Sequence, residues 1–282
     1  MRTVKFKSVL HGVAIRFGLQ PDVNLTDNQA QAFTEYINDA VQEGWEKDEF
    51  HDFTTTEKRF YRDAYDNSKA YVVGNQVYYS TTDKYYECIL NSTGNLPTNT
   101  TYWEEITEDF DRYVAYEQTG KTKIGEVFQV TQKNPWTNRA PIKVAYALSD
   151  NGIQVDFDAP NSVYVKFRKR PPTFNYVAWS SSTSYAVDDI VYLASTGECY
   201  ISIQAGSNQN PATQTAYWTK IDFPYVLSRF VKLKAYAMAL DEDGQTEKAE
   251  RKRNQAEDAL MDEMDKIRVQ QKQYDHFEVK TA

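Results

Sequence analysis

A pattern of aromatic and aliphatic residues occurs twice in this chain, and the duplication constrains the fold more than any other feature. Tyr71-Val-Val-Gly-Asn-Gln-Val77-Tyr78 recurs as Tyr185-Ala-Val-Asp-Asp-Ile-Val191-Tyr192. At the same offset of 114 residues, Tyr86 matches Tyr200, Ile89 matches Ile203 and Pro97 matches Pro211. After one inserted residue, Tyr102-Trp103 and Ile106 match Tyr217-Trp218 and Ile221; upstream, Tyr65 aligns with Trp179. Each copy alternates apolar and polar residues in short bursts between turn formers, which predicts a very small antiparallel sheet. About 70 residues separate the copies. They therefore do not stack as a solenoid, and read instead as insertions into a host domain.

The host is what remains. Helical spacing runs from Val9-Leu10 to Leu19 and from Thr26 to Trp45, with Thr26 as N-cap and Phe33, Ile37 and Val41 on one face. Five strand-like runs follow: 112–116, 125–130, 142–148, 153–157 and 163–167. Asp150-Asn-Gly152 predicts a hairpin turn, because Asn-Gly tolerates positive φ. In Phe223-Pro224, the proline suits the first turn of a helix, with Leu227, Phe230, Val231 and Ala235 as its apolar face. Asp243-Gly244 breaks that helix. A highly charged second one spans about Gln245 to Gln271, with Ala249, Ala256, Leu260, Met264 and Ile267 on a narrow stripe. Such a pair predicts an antiparallel helical hairpin.

The expected class is therefore α+β and multidomain: a helical bundle from both termini, a central antiparallel β domain and two small inserted all-β modules. The expected boundaries are a helical core over 1–50 and 223–272, a β domain over 51–64 and 108–176, modules over 65–107 and 177–222, and an extended tail over 273–282.

A formal net charge of −8 argues against a protein that coats nucleic acid, which needs an excess of Lys and Arg. It allows a channel through which DNA passes without sticking. Cys88 and Cys199 make neither a disulfide framework nor a zinc motif, and no cofactor is expected. No signal-like or membrane-length apolar run is present, so the expected starting compartment is a cytoplasm.

Three features resemble catalytic motifs and are set aside. Ala115-Tyr-Glu-Gln-Thr-Gly120-Lys121-Thr122 matches a relaxed phosphate loop, but strand-like Ile124-Gly-Glu-Val-Phe-Gln-Val130 follows where a helix is needed, so a hairpin turn is expected. Asn151-Gly-Ile-Gln-Val-Asp156-Phe-Asp158 echoes the acidic strand of chitinases, with Asp158 where the proton-donating Glu belongs and no barrel pattern around it. His11, His51 and His276 are isolated from any nucleophile motif. The chain is expected not to be an enzyme.

The repeated pattern, Tyr-x-x-Gly-(Asp/Asn)-x-Val-x-Tyr followed by Tyr-x-Cys-Ile, Pro and Tyr-Trp, resembles the chitin-binding modules of bacterial chitinases and cellulases. Asp188 stands in the second copy where Gly74 stands in the first, so that turn is expected to differ. The resemblance implies polysaccharide binding on exposed rings, with Tyr102, Trp103, Trp179, Tyr217 and Trp218 as carbohydrate-binding residues. The alternative is equally physical. A unit of about 45 residues can barely bury enough surface, and in that reading the same rings are its core.

The host segments, notably Asn151-Gly-Ile-Gln-Val, the run from Ala159 to Pro172, and Phe223-Pro-Tyr-Val-Leu through Ala235-Tyr-Ala-Met-Ala-Leu240 to Asp243-Gly, resemble head-to-tail connector (adaptor or neck) proteins of tailed bacteriophages. The resemblance implies a structural virion protein of the neck, between capsid and tail, assembled in the host cytoplasm. Its implied partners are copies of itself in a dodecameric ring, the portal protein, a tail or neck protein and DNA passing through the lumen. The tail after Val269 is expected to order on meeting the portal. A carbohydrate-binding adhesin or tail-associated protein is the alternative reading.

Overall fold

The computed structural model describes residues 2–48, 50–107, 111–138, 140–156 and 158–272; Phe157, His276 and the tail 273–282 lie outside the described residues. The chain mixes helices with several small antiparallel sheets, and among the described residues no sheet closes into a barrel. It forms two compact units, one from Met1–Asp48 with Pro171–Ala282, the other from Glu49–Arg170.

In the first unit, α1 (Phe6–Arg16) buries Phe6, Val9, Leu10, Val13 and Ala14, the i, i+3, i+4, i+7, i+8 stripe of an amphipathic helix. Gly18, at φ +76°, ends it in the left-handed conformation, and the Leu19 N–H returns to the Ala14 carbonyl. After the short α2 (Pro21–Asn24), α3 (Asp27–Glu46) starts with a capping box: the Gln29 N–H donates to Thr26 Oγ1, and Gln29 Oε1 accepts from the Thr26 N–H. α3 buries Phe33, Ile37, Val41 and Trp45.

Two C-terminal helices complete this unit, α4 (Ser228–Glu242) and α5 (Thr246–Lys272). α4 touches α1, α3 and α5, and so is buried almost all round. Even Lys234 is buried, its Nζ 2.6 Å from Glu43. Pro224 does not open α4 as its sequence position suggests. It lies in a two-residue ladder with Thr3 and caps a 3-10 turn, Tyr225–Leu227, that leads into the helix. Gly244, at φ +75°, separates α4 from α5.

In the second unit, the strand Val163–Lys169 is central between Thr54–Arg59 and Ile124–Thr131. Val163, Val165 and Phe167 point to one side and are fully buried with Ile124 and Val130. A second sheet orders Tyr146–Ser149, Gly152–Val155 and Tyr113–Ala115.

Three local expectations need correction. The run 142–148 is not one strand: the Val144 N–H pairs with Val130 O of the first sheet, and pairing with the second begins at Tyr146. The segment after Ala115 does turn back, the Lys121 N–H donating to Gln118 O and the Ile124 N–H to Tyr116 O, both at 3.0 Å, and a strand follows as expected; but the strands on its two sides belong to different sheets, so no hairpin ladder forms. The hairpin expected at Asp150-Asn151 does form, Ser149 pairing with Gly152, but neither turn residue has positive φ, so tolerance of that conformation is not its cause. Glycine is required there for space, since a Cβ would fall 2.4 Å from the Val114 carbonyl oxygen.

The two repeat copies match strand for strand. Each has a two-stranded ladder (Ala70–Tyr71 with Ser92–Thr93; Ser184–Tyr185 with Gly206–Ser207) and a three-stranded one. The latter are Gln76–Tyr79, Lys84–Cys88 and Trp103–Glu105 in the first copy, and Ile190–Leu193, Glu198–Ser202 and Trp218–Ile221 in the second. The turn expected to differ does not. Asp188 takes φ +72° where Gly74 has +89°, and the two N–H groups donate to Cys88 O at 2.8 Å and Ser202 O at 2.9 Å. Two more left-handed positions pair the same way, Asp83 with Gly197 and Gly94 with Asn208. Asp and Asn are the side chains that tolerate this region at least cost. Gly74→Asp is accordingly expected to lose less than ~1 kcal/mol in urea denaturation, whereas the β-branched Gly74→Val loses about 1–2 kcal/mol. Equal losses for the two substitutions would contradict the shared backbone.

Candidate functional site: the two modules and their surfaces

The five rings singled out by sequence divide by burial. Trp103 is 1% exposed and Trp218 is 4% exposed. Each stands edge-on to a tyrosine: Trp103 to Tyr71 at 5.2 Å and 70°, Trp218 to Tyr185 at 5.2 Å and 73°. Each indole N–H donates to a backbone carbonyl, Asn95 O at 2.9 Å and Gln209 O at 3.0 Å. A sugar face stacks only on a ring face that water can reach. Trp103 and Trp218 are therefore corrected from binding platform to module core, the outcome that small size forces.

Tyr102, Tyr217 and Trp179 are half-buried around these cores. Tyr217 lies against Gly206, where a Cβ would come within 3.0 Å of its ring. Trp179 takes the place of Tyr65. The Tyr65 hydroxyl donates to Asn95 O at 2.9 Å, whereas the Trp179 indole N–H is buried without an acceptor among the described residues. Within each module the structure brings the candidates together as packing partners of one small core.

Sequence reasoning missed the face by which each module is seated on its own unit. In the first copy, Tyr78 stacks on Phe60 at 3.9 Å, and Tyr85 accepts from the Tyr61 N–H at 3.1 Å while donating to Asn161 O at 2.6 Å. In the second, the equivalent positions are Tyr192 and Cys199. Tyr192 stacks on Tyr176 at 4.7 Å and meets the edge of Phe6 at 6.1 Å; the Cys199 thiol contacts Asn175 O at 3.4 Å. Burial pushes that thiol up to about 12, so it carries no thiolate chemistry at neutral pH. The signal was present in the repeat, where Tyr78 and Tyr192 match but exceed what a module of this size needs inside.

The second module also completes α1. Lys5 offers no side-chain cap, and instead the Phe6 N–H donates to Glu198 Oε2 at 3.3 Å and the Lys7 N–H to Gly197 O at 2.9 Å. A carboxylate at a helix N-terminus satisfies a free donor and complements the helix dipole. Phe6, Phe174 and Phe223 stack beneath it, with ring centroids 5.0 and 5.1 Å apart.

A cleft of about 380 Å³ in the second unit is lined by residues of the first module and the strands below, among them Arg62, Asp63, Gln76 and Tyr113. Three of its charges are already engaged: Arg62 donates to Gln76 Oε1 at 2.8 Å and Asp111 O at 2.9 Å, Asp63 accepts from the Thr119 hydroxyl at 3.1 Å, and Glu117 pairs with Arg170. It reads as a satisfied seam. A second hollow, of about 330 Å³, lies beside Trp136. Among the described residues no group of three acidic, His or Cys side chains is placed to hold a metal ion. His11 lies on α1 and His51 precedes the strand Thr54–Arg59, in different units.

No protein-family model and no curated protein sequence matches this chain.

Two outcomes follow. Trp103→Ala is expected to cost about 3–5 kcal/mol in chemical denaturation; if it leaves stability untouched and removes only polysaccharide retention, the buried placement is wrong. Glu198 has its pKa raised, chiefly by burial and despite the Phe6 N–H bond. The folded state then holds the proton to higher pH than the unfolded chain does, so this group's contribution falls as pH rises from the ordinary glutamate value through the folded one. Glu198→Gln, which keeps an acceptor for Phe6, should flatten that part of the melting temperature–pH curve. An unchanged slope refutes the assignment.

Proposed function

We propose that the chain is a non-enzymatic structural protein that forms a ring and links the head of a tailed-bacteriophage virion to its tail. In this reading the helices from both termini make a bundle at the ring seam, the central strands make an antiparallel β domain, and the two repeats are inserted all-β modules. The observation that carries the reading is the length of α5. Its 27 residues run about 40 Å at 1.5 Å per residue, against about 22 Å for the 15 of α4.

Fully buried positions on α5 stop at Leu260. From Met261 to Val269 the helix has no fully buried residue; Met264 and Ile267 are half-buried, and ion pairs such as Arg268–Asp48 at 3.3 Å and Arg229–Asp262 at 3.8 Å tie it to the rest of the unit. Exposed pairs of this kind stabilise little on their own. A helix prolonged past its own core gains most where a neighbouring subunit lies against it, as a head-to-tail ring interface requires. Met261 and Val269, both exposed, are apolar points for such a contact. The net charge of −8 fits a lumen that passes DNA without gripping it. The reading as a carbohydrate-binding adhesin through the modules loses support from the burial of Trp103 and Trp218.

Sedimentation of the purified protein, alone and mixed with portal protein, tests the proposal. The expected result is a closed oligomer in at least the mixture, weakened by Met261→Glu in α5. A monomer under both conditions sinks the connector reading, and retention on insoluble chitin would restore the adhesin one.

A further inference from the structure

We propose that the groove where α1 lies against α4 receives α5 of a second copy of this chain, with Asp258 of that helix set against Lys232 and Arg16. The inference rests on the ring reading above and names the surface that α5 meets.

Two cations gathered around one glycine are the first observation. The Lys232 stem, from α4, runs over Gly12 of α1, where a Cβ would fall 2.8 Å from Lys232 Cδ and Cε. Arg16 stands one turn on from Gly12, and its guanidinium folds back to donate to the Gly12 carbonyl. Burial and the nearby Arg16 push the Lys232 pKa down, and burial does the same to Arg16. Among the described residues no carboxylate offsets either charge. The other two cations of α4 differ, Lys234 having Glu43 at 2.6 Å and Arg229 having Asp262 at 3.8 Å. A net charge of −8 means that acids outnumber bases in this chain. A half-buried lysine left beside a like charge is therefore a place that an acid from another molecule completes.

The stripe on α5 is the second observation, and its spacing matches. Asp258, Met261 and Asp265 lie at i, i+3 and i+7, and all three are exposed. Among the described residues Asp258 has no ion pair, and Asp265 has only Arg268, one turn on, at 3.7 Å. In α1, Ile15 is 60% exposed and stands three residues from Gly12, as Met261 stands three from Asp258. Laying Met261 on Ile15 thus brings Asp258 to the cations at Gly12, about one helical turn away in both helices. An ion pair enclosed between two protein surfaces fixes partner and register more than a solvated one does. The groove and the acidic stripe are different patches, so every copy offers one of each and copies join head to tail, as a ring demands. Two cations flanked by an exposed isoleucine suit a protein partner better than a phosphate backbone, which is gripped by many basic residues.

Charge reversal in the full chain tests this, read by sedimentation velocity alone and with portal protein. Lys232→Glu and Asp258→Lys are each expected to raise the concentration needed for assembly about tenfold, and the double variant to return it close to the original value. A merely structural role for Lys232 would give no such rescue. Circular dichroism reports whether each variant folds; should Lys232→Glu not fold, Arg16→Glu takes its place in the same pairing with Asp258→Lys. The proposal is overturned if the single reversals leave assembly unchanged, or if the folded double variant assembles no better than the singles. If Met261→Glu still weakens the oligomer in that event, the ring reading stands and only the groove is wrong, whereas a monomer throughout overturns both. Binding of duplex DNA that Lys232→Glu abolishes, with assembly intact, would give the cations to nucleic acid and equally overturn the proposal.

Discussion

Each repeat copy depends on one interaction, the seating of its tyrosine-bearing face on the larger structure beside it. A unit of about 45 residues buries too little apolar surface to outweigh its conformational entropy by a wide margin. One tryptophan, two tyrosines and two smaller apolar side chains (Val77 and Cys88, or Val191 and Leu193) make up its interior. The rest of the stabilisation comes from outside. Tyr78 on Phe60 and Tyr85 among the strands do this for the first copy; Tyr192 between Tyr176 and Phe6 does it for the second. Both copies use the same face, so the duplication carried the means of attachment along with the fold.

That seating also makes the second module part of the helical unit. Glu198 and Gly197 satisfy donors at the start of α1 that no residue of the helix's own lead-in can satisfy. The aromatic stack of Phe6, Phe174 and Phe223 draws its three rings from the N-terminus and from both flanks of the module. Chain segments far apart in sequence thus share a single small core. The picture of modules hung on a complete scaffold is too loose for this copy.

What could be read in advance was whatever is periodic or punctuated. The repeat, the Thr26 cap, the stripe on α3 and the break at Gly244 are local, and local patterns survive folding. What could not be read depended on partners distant along the chain. Residues 142–144 and 145–149 look like one strand because both alternate, yet they pair with different sheets. Gly152 looks like a turn residue, and its real constraint is a carbonyl on a strand nearly forty positions away. The Tyr102-Trp103 and Tyr217-Trp218 pairs have the composition of a binding surface and of a core alike, and only burial distinguishes them. Trp136 stood in a turn-rich stretch, Asn134-Pro-Trp-Thr-Asn138, where nothing periodic marked it.

The three left-handed positions bear on how such modules diverge. At each, one copy has glycine and the other aspartate or asparagine: Gly74 and Asp188, Gly197 and Asp83, Gly94 and Asn208. Glycine is at no site in both copies, so the inherited quantity is a dihedral angle and the residue is an interchangeable means of reaching it. Drift at these points leaves the trace of the chain unmoved. Two modules of this kind can lose most of their letter-by-letter likeness and still superimpose, and kinship among them is better sought in the placement of their turns than in the identity of the residues that make them.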